Sequence, residues 1–85
     1  MPVFDEITAI KAATDMDGRL TAVVSGADVW GNAIAAEYRT DKSGCGLWEW
    51  NPKRRDWVQI VGTGQYAVRG PADLRRKLRA MLLPQ

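Results

Sequence analysis

Residues 47–61 read Leu47-Trp48-Glu49-Trp50-Asn51-Pro52-Lys53-Arg54-Arg55-Asp56-Trp57-Val58-Gln59-Ile60-Val61, and they set the fold. Two short apolar runs flank a turn. Proline pre-sets φ for the first central position of a turn, so Asn51-Pro52 opens it. The runs 47–50 and 57–61 then read as the arms of a β-hairpin. Three of the four tryptophans fall here, and the turn carries three adjacent cations. Such a hairpin can seed a core or present a flat, basic, aromatic surface. Register decides which side chains share a face. With Trp50 opposite Trp57, the set Trp48, Trp50, Trp57 and Gln59 lies together. With Trp50 opposite Asp56, the set is Trp48, Trp50, Val58 and Ile60. Trp57 then joins Glu49, Gln59 and Val61 on a more polar face. Apolar continuity favours the second register and a core built on Trp48, Trp50, Ile60, Leu74, Leu78 and a few valines.

Upstream, Asp41-Lys42-Ser43-Gly44 is a polar loop. Residues 33–40 alternate Ile34, Ala36 and Tyr38 to one side, as a strand does. Their alanines, with Asn32 as a cap, also suit a helix. A strand is favoured because a helix would compete with the sheet for too few residues. Gly31-Asn32 suits a tight turn after Val29-Trp30. Residues 20–25 are β-branched and bounded by Gly18 and Gly26, which marks a strand. Residues 5–14 read two ways. Phe4, Ile7 and Ile10 recur at three-residue spacing, as in a helix. Asp15 and Asp17 would then sit at the negative end of its dipole. Asp15-Met16-Asp17-Gly18 is also good turn chemistry between two strands, which favours a strand.

Downstream, Gly62-Thr63-Gly64 breaks the hairpin arm, and 65–68 reads as one more short strand. Gly70-Pro71 opens a helix over 71–83. Proline suits its first position, and Asp73 complements the positive end of the dipole. Leu74, Leu78, Met81 and Leu82 form one apolar stripe, with Arg75, Arg76, Lys77 and Arg79 around the rest. Pro84 ends it. No internal repeat or low-complexity segment is evident. The expected fold is α+β: one domain over residues 1–85, with an antiparallel sheet of four to five strands and the C-terminal helix across one face. Its stripe should meet Trp48, Trp50, Val58 and Ile60.

The chain is 85 residues long, with no histidine and one cysteine, Cys45. The commonest general base and the commonest metal ligand are therefore missing. A lone cysteine forms neither an intramolecular disulfide nor a cysteine-based zinc site. Its free thiol fits a reducing, cytoplasmic setting. No apolar run approaches the length of a membrane span, and the acidic start lacks the regions of a signal peptide. Net charge is +2 but unevenly spread. Residues 1–50 hold eight acids and four bases; residues 51–85 hold eight bases and two acids. Such polarity suggests a face suited to an anionic partner, against the plainer reading of a solvated helix.

Candidate catalytic motifs fail on context. Gly62-Thr63-Gly64-Gln65-Tyr66-Ala67 matches a dinucleotide-binding fingerprint, but Pro71 follows too soon and no room remains for a crossover. Asp15 and Asp17 begin a calcium-loop pattern that Arg19 and Leu20 break. Cys45, between two glycines, lacks a neighbouring base to activate it. No cofactor, metal or enzymatic activity is expected. The candidate contact residues are Lys53, Arg54, Arg55, Trp57, Arg69, Arg75, Arg76, Lys77 and Arg79. Arginine takes carboxylates or phosphates bidentately, and an exposed tryptophan anchors an interface or stacks on a base.

A short, charge-polarised chain without catalytic groups resembles, in overall profile, the small inhibitors encoded by phages and mobile elements, anti-CRISPR proteins among them. That resemblance implies a non-catalytic module that occludes a larger protein or ribonucleoprotein complex with an acidic surface. The alternative is a nucleic-acid binder using the basic hairpin tip and helix face. A homodimer through an open sheet edge is a further arrangement the composition allows.

Overall fold

The computed structural model describes residues 3–83. Five strands follow in chain order: β1 (Glu6–Thr14), β2 (Leu20–Ala27), β3 (Ala33–Arg39), β4 (Leu47–Asn51) and β5 (Asp56–Val61). One helix, α1 (Pro71–Leu82), closes the series. The strands form a single antiparallel sheet in the order β1-β2-β3-β4-β5, a meander in which each strand pairs with its neighbours in sequence. The fold is α+β, as the sequence predicts. Residues 6–14 and 33–39 are strands. Residues 65–68 contribute only a single bridge between Cys45 and Ala67.

One local device builds three of the four hairpin connections. Asp-x-x-Gly recurs at 15–18, 28–31 and 41–44, at a constant interval of thirteen residues. In each, the glycine N–H donates to the aspartate carbonyl, and the aspartate N–H donates to the carbonyl four residues on. The carboxylate accepts from the second and fourth N–H that follow: Asp17 and Arg19 at Asp15, Trp30 and Asn32 at Asp28, Ser43 and Cys45 at Asp41. Each glycine takes φ between 81° and 85°, where a Cβ is strained. This corrects the reading that the chain has no internal repeat: the periodicity lies in the sequence itself.

The fourth turn is built differently. The Asn51 side-chain oxygen accepts from the Lys53 and Arg54 N–H groups, and Arg55 N–H donates to the Asn51 carbonyl at 2.7 Å. Arg55 itself takes φ 57°. The loop closes on the pair Asn51–Asp56, so Trp50 stands opposite Trp57. This corrects the register chosen on apolar continuity. Loop geometry fixes hairpin register, and here it overrides the hydrophobic pattern.

The core lies between the sheet and α1. Leu74, Leu78 and Leu82 are buried against Phe4, Ile7, Ile10, Leu20, Ala22 and Val24, with Ala36, Tyr38, Leu47 and Val68 continuing the cluster. The helix packs on β1 and β2 and does not reach β4 or β5. The expected meeting of its stripe with Trp48 and Trp50 is therefore wrong, since the tryptophans are not in the core; of the hairpin residues named, only Ile60 packs against the buried cluster. A helix is about 10 Å across with its side chains and strands are about 4.8 Å apart, so one helix covers only part of five strands. Residues 62–70 pass over the rest: Gly46 N–H donates to the Tyr66 carbonyl and Val68 N–H to the Gly44 carbonyl, and Tyr66 packs against the core.

Pro71 starts the helix, and Leu83 N–H closes it on the Arg79 carbonyl. Pro84 lies outside the described residues. No helix among these residues is long and apolar enough to cross a membrane.

Candidate functional site: an aromatic sheet face with a basic tip

Side chains of paired antiparallel residues share a face. Buried Tyr38 pairs with Glu49, on the helix side; the next pair, Arg39–Trp48, therefore points to the opposite side. Trp48 pairs with Gln59 and Trp50 with Trp57, so all three hairpin tryptophans lie on the face away from α1. Trp57 has not been left alone on a polar face, as the other register implied. Instead it meets Trp50 edge-on, with ring centroids 5.4 Å apart and planes at 63°. The Arg39 guanidinium carbon stands 4.4 Å from the Trp57 ring centroid. Such cation–π contacts contribute roughly 0.5–1 kcal/mol at exposed sites.

The three indoles are half-buried: Trp50 and Trp57 cover one another, and the Trp48 ring lies over Gly46. Gly46 seats Trp48: a Cβ there would come within 2.8 Å of the ring, and the residue has φ 70°. No element among the described residues covers this face. Beyond the tryptophans it presents small or polar groups, with Val23, Ala33, Ala35, Glu37 and Gln59 exposed. Burial, then the nearby Arg19 charge, lowers the Arg39 pKa. On the other face, burial and then the Glu49 carboxylate raise the Tyr38 phenol far above its ordinary range.

In a meander the turns alternate between the two ends of the sheet. The 28–31 turn and the 52–55 tip share one end. Trp30 is 81% exposed there, and Val29 and Val3 stand beside it. A cavity of about 420 Å³ is lined by Val3, Asp28, Val29, Trp30 and Ile34. Ile34 also lines a second, of about 670 Å³, with Ala35, Ala36, Glu49, Trp50 and Pro52 among its walls and Lys53 at its rim.

The candidate cations divide into two groups. Lys53, Arg54 and Arg55 are exposed at the hairpin tip, where Arg54 pairs with Asp56 at 3.4 Å. They border the aromatic face that carries Trp57. Arg69, Arg75, Arg76, Lys77 and Arg79 belong to the helix and the segment leading into it, across the sheet. Two of these are engaged locally. Asp73 accepts from the Arg69 backbone N–H and pairs with Arg76 at 2.6 Å and Lys77 at 3.5 Å. Those contacts hold its carboxyl below the ordinary carboxylate range, the Arg69 N–H foremost. Lys77 also donates to the Ala67 carbonyl. The tip and the helix cations therefore do not form one patch.

Sequence reasoning missed Arg39, Trp48 and Trp50 as surface groups. Alternation along 33–39 puts Arg39 opposite Tyr38, and the length of the 52–55 loop puts Trp50 over Trp57. Those two signals together locate the face. The turn acids are committed elsewhere, since Asp15, Asp28 and Asp41 each cap their own loop. Cys45 sits half-buried two residues before β4, in the bridge to Ala67. The chain matches no protein-family model, no curated protein and no solved structure.

Proposed function

We propose that the protein is a non-catalytic binding module that works by covering a surface of a larger protein or ribonucleoprotein complex. The observation that carries this reading is the uncovered sheet face on which Trp48, Trp50, Trp57 and Arg39 are held together beside the 53–55 tip. Tryptophan and arginine are the residues most enriched among interface hot spots. Rings pre-set by packing lose little freedom on binding, which favours affinity. The basic rim steers an acidic partner surface towards them. Occlusion is the mode of action such a module supports, as for the phage-type inhibitors it resembles in profile.

The test compares the protein with Trp57→Ala and with the charge reversal R54E/R55E. Each is run with purified RNA-guided nuclease complexes in size-exclusion chromatography. Salt-tolerant co-elution lost in Trp57→Ala supports the reading, provided the variant still melts cooperatively. No co-elution with any complex counts against the inhibitor role. The second reading is nucleic-acid binding, favoured by stacked indoles next to cations. A mobility shift with DNA or RNA that weakens steeply with salt would replace the first reading with this one, because phosphate neutralisation releases counterions.

A further inference from the structure

The sheet is split. β3 pairs with β2 along its whole length, but with β4 only at Tyr38–Glu49 and Arg39–Trp48. From Ala36 back to Ala33, the third strand of five has no partner on its β4 side. Backbone parity shows what that edge offers. Thr40 N–H donates to the Leu20 carbonyl and Asp28 N–H to the Asn32 carbonyl, so the even-numbered residues of β3 bond to β2. The N–H and C=O groups of Ala33 and Ala35 therefore point into the split, which closes at Glu37 beside the Tyr38–Glu49 pair. On the opposite lip, the Asn51 carbonyl faces β5, accepting from Arg55, so Trp50 turns its own backbone groups towards β3. Pro52 follows and has no N–H to give. The cavity of about 670 Å³ occupies this wedge, with Trp50 as one wall and Lys53 at the mouth.

We propose that this split is a docking cleft for a single extended segment of a partner protein. The segment adds to the 33–35 edge as a short strand. Main-chain hydrogen bonds supply affinity in this mode, and alternate side chains meet the walls. A strand at the edge of another folded sheet does not fit, because its own sheet would collide with β4. A loose segment does. Charge fixes its direction of entry. The mouth carries Lys53, with Arg54 and Arg55 beside it, and the closed end carries Glu37 and Glu49. The segment is acidic where it passes the tip and apolar where it lies against Trp50 and Ile34. This inference rests on the binding-module reading and names the shape of what is bound.

The probe is a phage-displayed library of random linear peptides, panned on the whole protein, followed by synthesis of the enriched peptide. Amide hydrogen exchange is then read by NMR. In the free protein, Ala33 and Ala35 amides should exchange at least about tenfold faster than Ile34 and Ala36, since local protection follows hydrogen bonding. Peptide should slow Ala33 and Ala35 by a similar factor. N-methylating alternate peptide amides should abolish binding in one phase and spare it in the other. Equal exchange at all four sites in the free protein overturns the cleft, as does panning without enrichment or equal tolerance of both N-methyl phases. A Trp57-dependent protein partner that leaves these amides unchanged overturns the cleft alone. Protected amides without any Trp57-dependent partner overturn the role of the aromatic face and leave the cleft standing.

Discussion

The β1–β2 half of the sheet and the β4–β5 hairpin use their largest apolar side chains in opposite ways. In the first, Ile10, Leu20, Ala22 and Val24 turn to α1 and are buried with Leu74, Leu78 and Leu82. In the second, the largest apolar side chains of the chain turn away from the helix and pack on one another with Arg39. Leucines and smaller aliphatic groups, with Phe4 and Tyr38, hold the molecule together; the tryptophans lie on its outside. Hydrophobicity alone does not say which face of a sheet becomes the core. The face is chosen by where the covering element lands, and α1 lands on β1 and β2.

The largest expected effect lies in the covered half. Leu78 is fully buried, and Leu78→Ala should cost about 2–5 kcal/mol in urea unfolding. A change near zero would break the comparison from that side. Next comes the seat of the aromatic cluster. Gly46→Ala forces a Cβ to within 2.8 Å of the Trp48 ring at φ 70°. A cost of about 1–3 kcal/mol is expected from backbone strain of this kind, with a shift in tryptophan emission as Trp48 moves. Trp57→Ala removes the edge-on ring pair and the Arg39 stack. It should cost only about 1–2 kcal/mol in the same unfolding experiment. A loss as large as that of Leu78→Ala would mean that the indoles form a second core and not a contact surface.

The smallest effect sharpens the covered side near the 62–70 segment. Burial, then the Asp73 charge, pushes the Tyr66 phenol up to about 12 from its ordinary 10.0. The neutral phenol is thus favoured in the folded state. Its contribution is complete below pH 10 and is lost as pH rises towards 12, because the unfolded chain releases its proton first. Tyr66→Phe should flatten the fall in melting temperature across that interval. An unchanged slope would remove Tyr66 from the account of alkaline unfolding.

Much of this arrangement can be read along the chain. The helix is announced by Pro71, Asp73 and the leucine stripe, and the turns by their aspartates, asparagine and glycines. Residues 33–39 declare themselves through Ile34, Ala36 and Tyr38. The hairpin register could not be settled by apolar continuity, since both registers group Trp48 with Trp50. It was settled by Asn51, which caps Lys53 and Arg54, and by Arg55, which accepts a left-handed backbone. The partner face of the helix was hidden for another reason. Which strands a terminal helix covers depends on the path of residues 62–70, and that path follows from the bonds to Gly44 and Gly46. The split between β3 and β4 has no local sequence signal; it arises from a pairing that stops after two residues.

The thirteen-residue spacing of the capped turns bears on how the molecule assembles. Each hairpin carries its own closure, so successive strands can zip without waiting for distant parts of the chain. Pairing strands that are neighbours in sequence keeps each closing loop short. The docking of α1 against β1 is the long-range step, joining the last element to the first. A sheet that forms ahead of its helix shows both faces to solvent, and only afterwards does one of them become the interior.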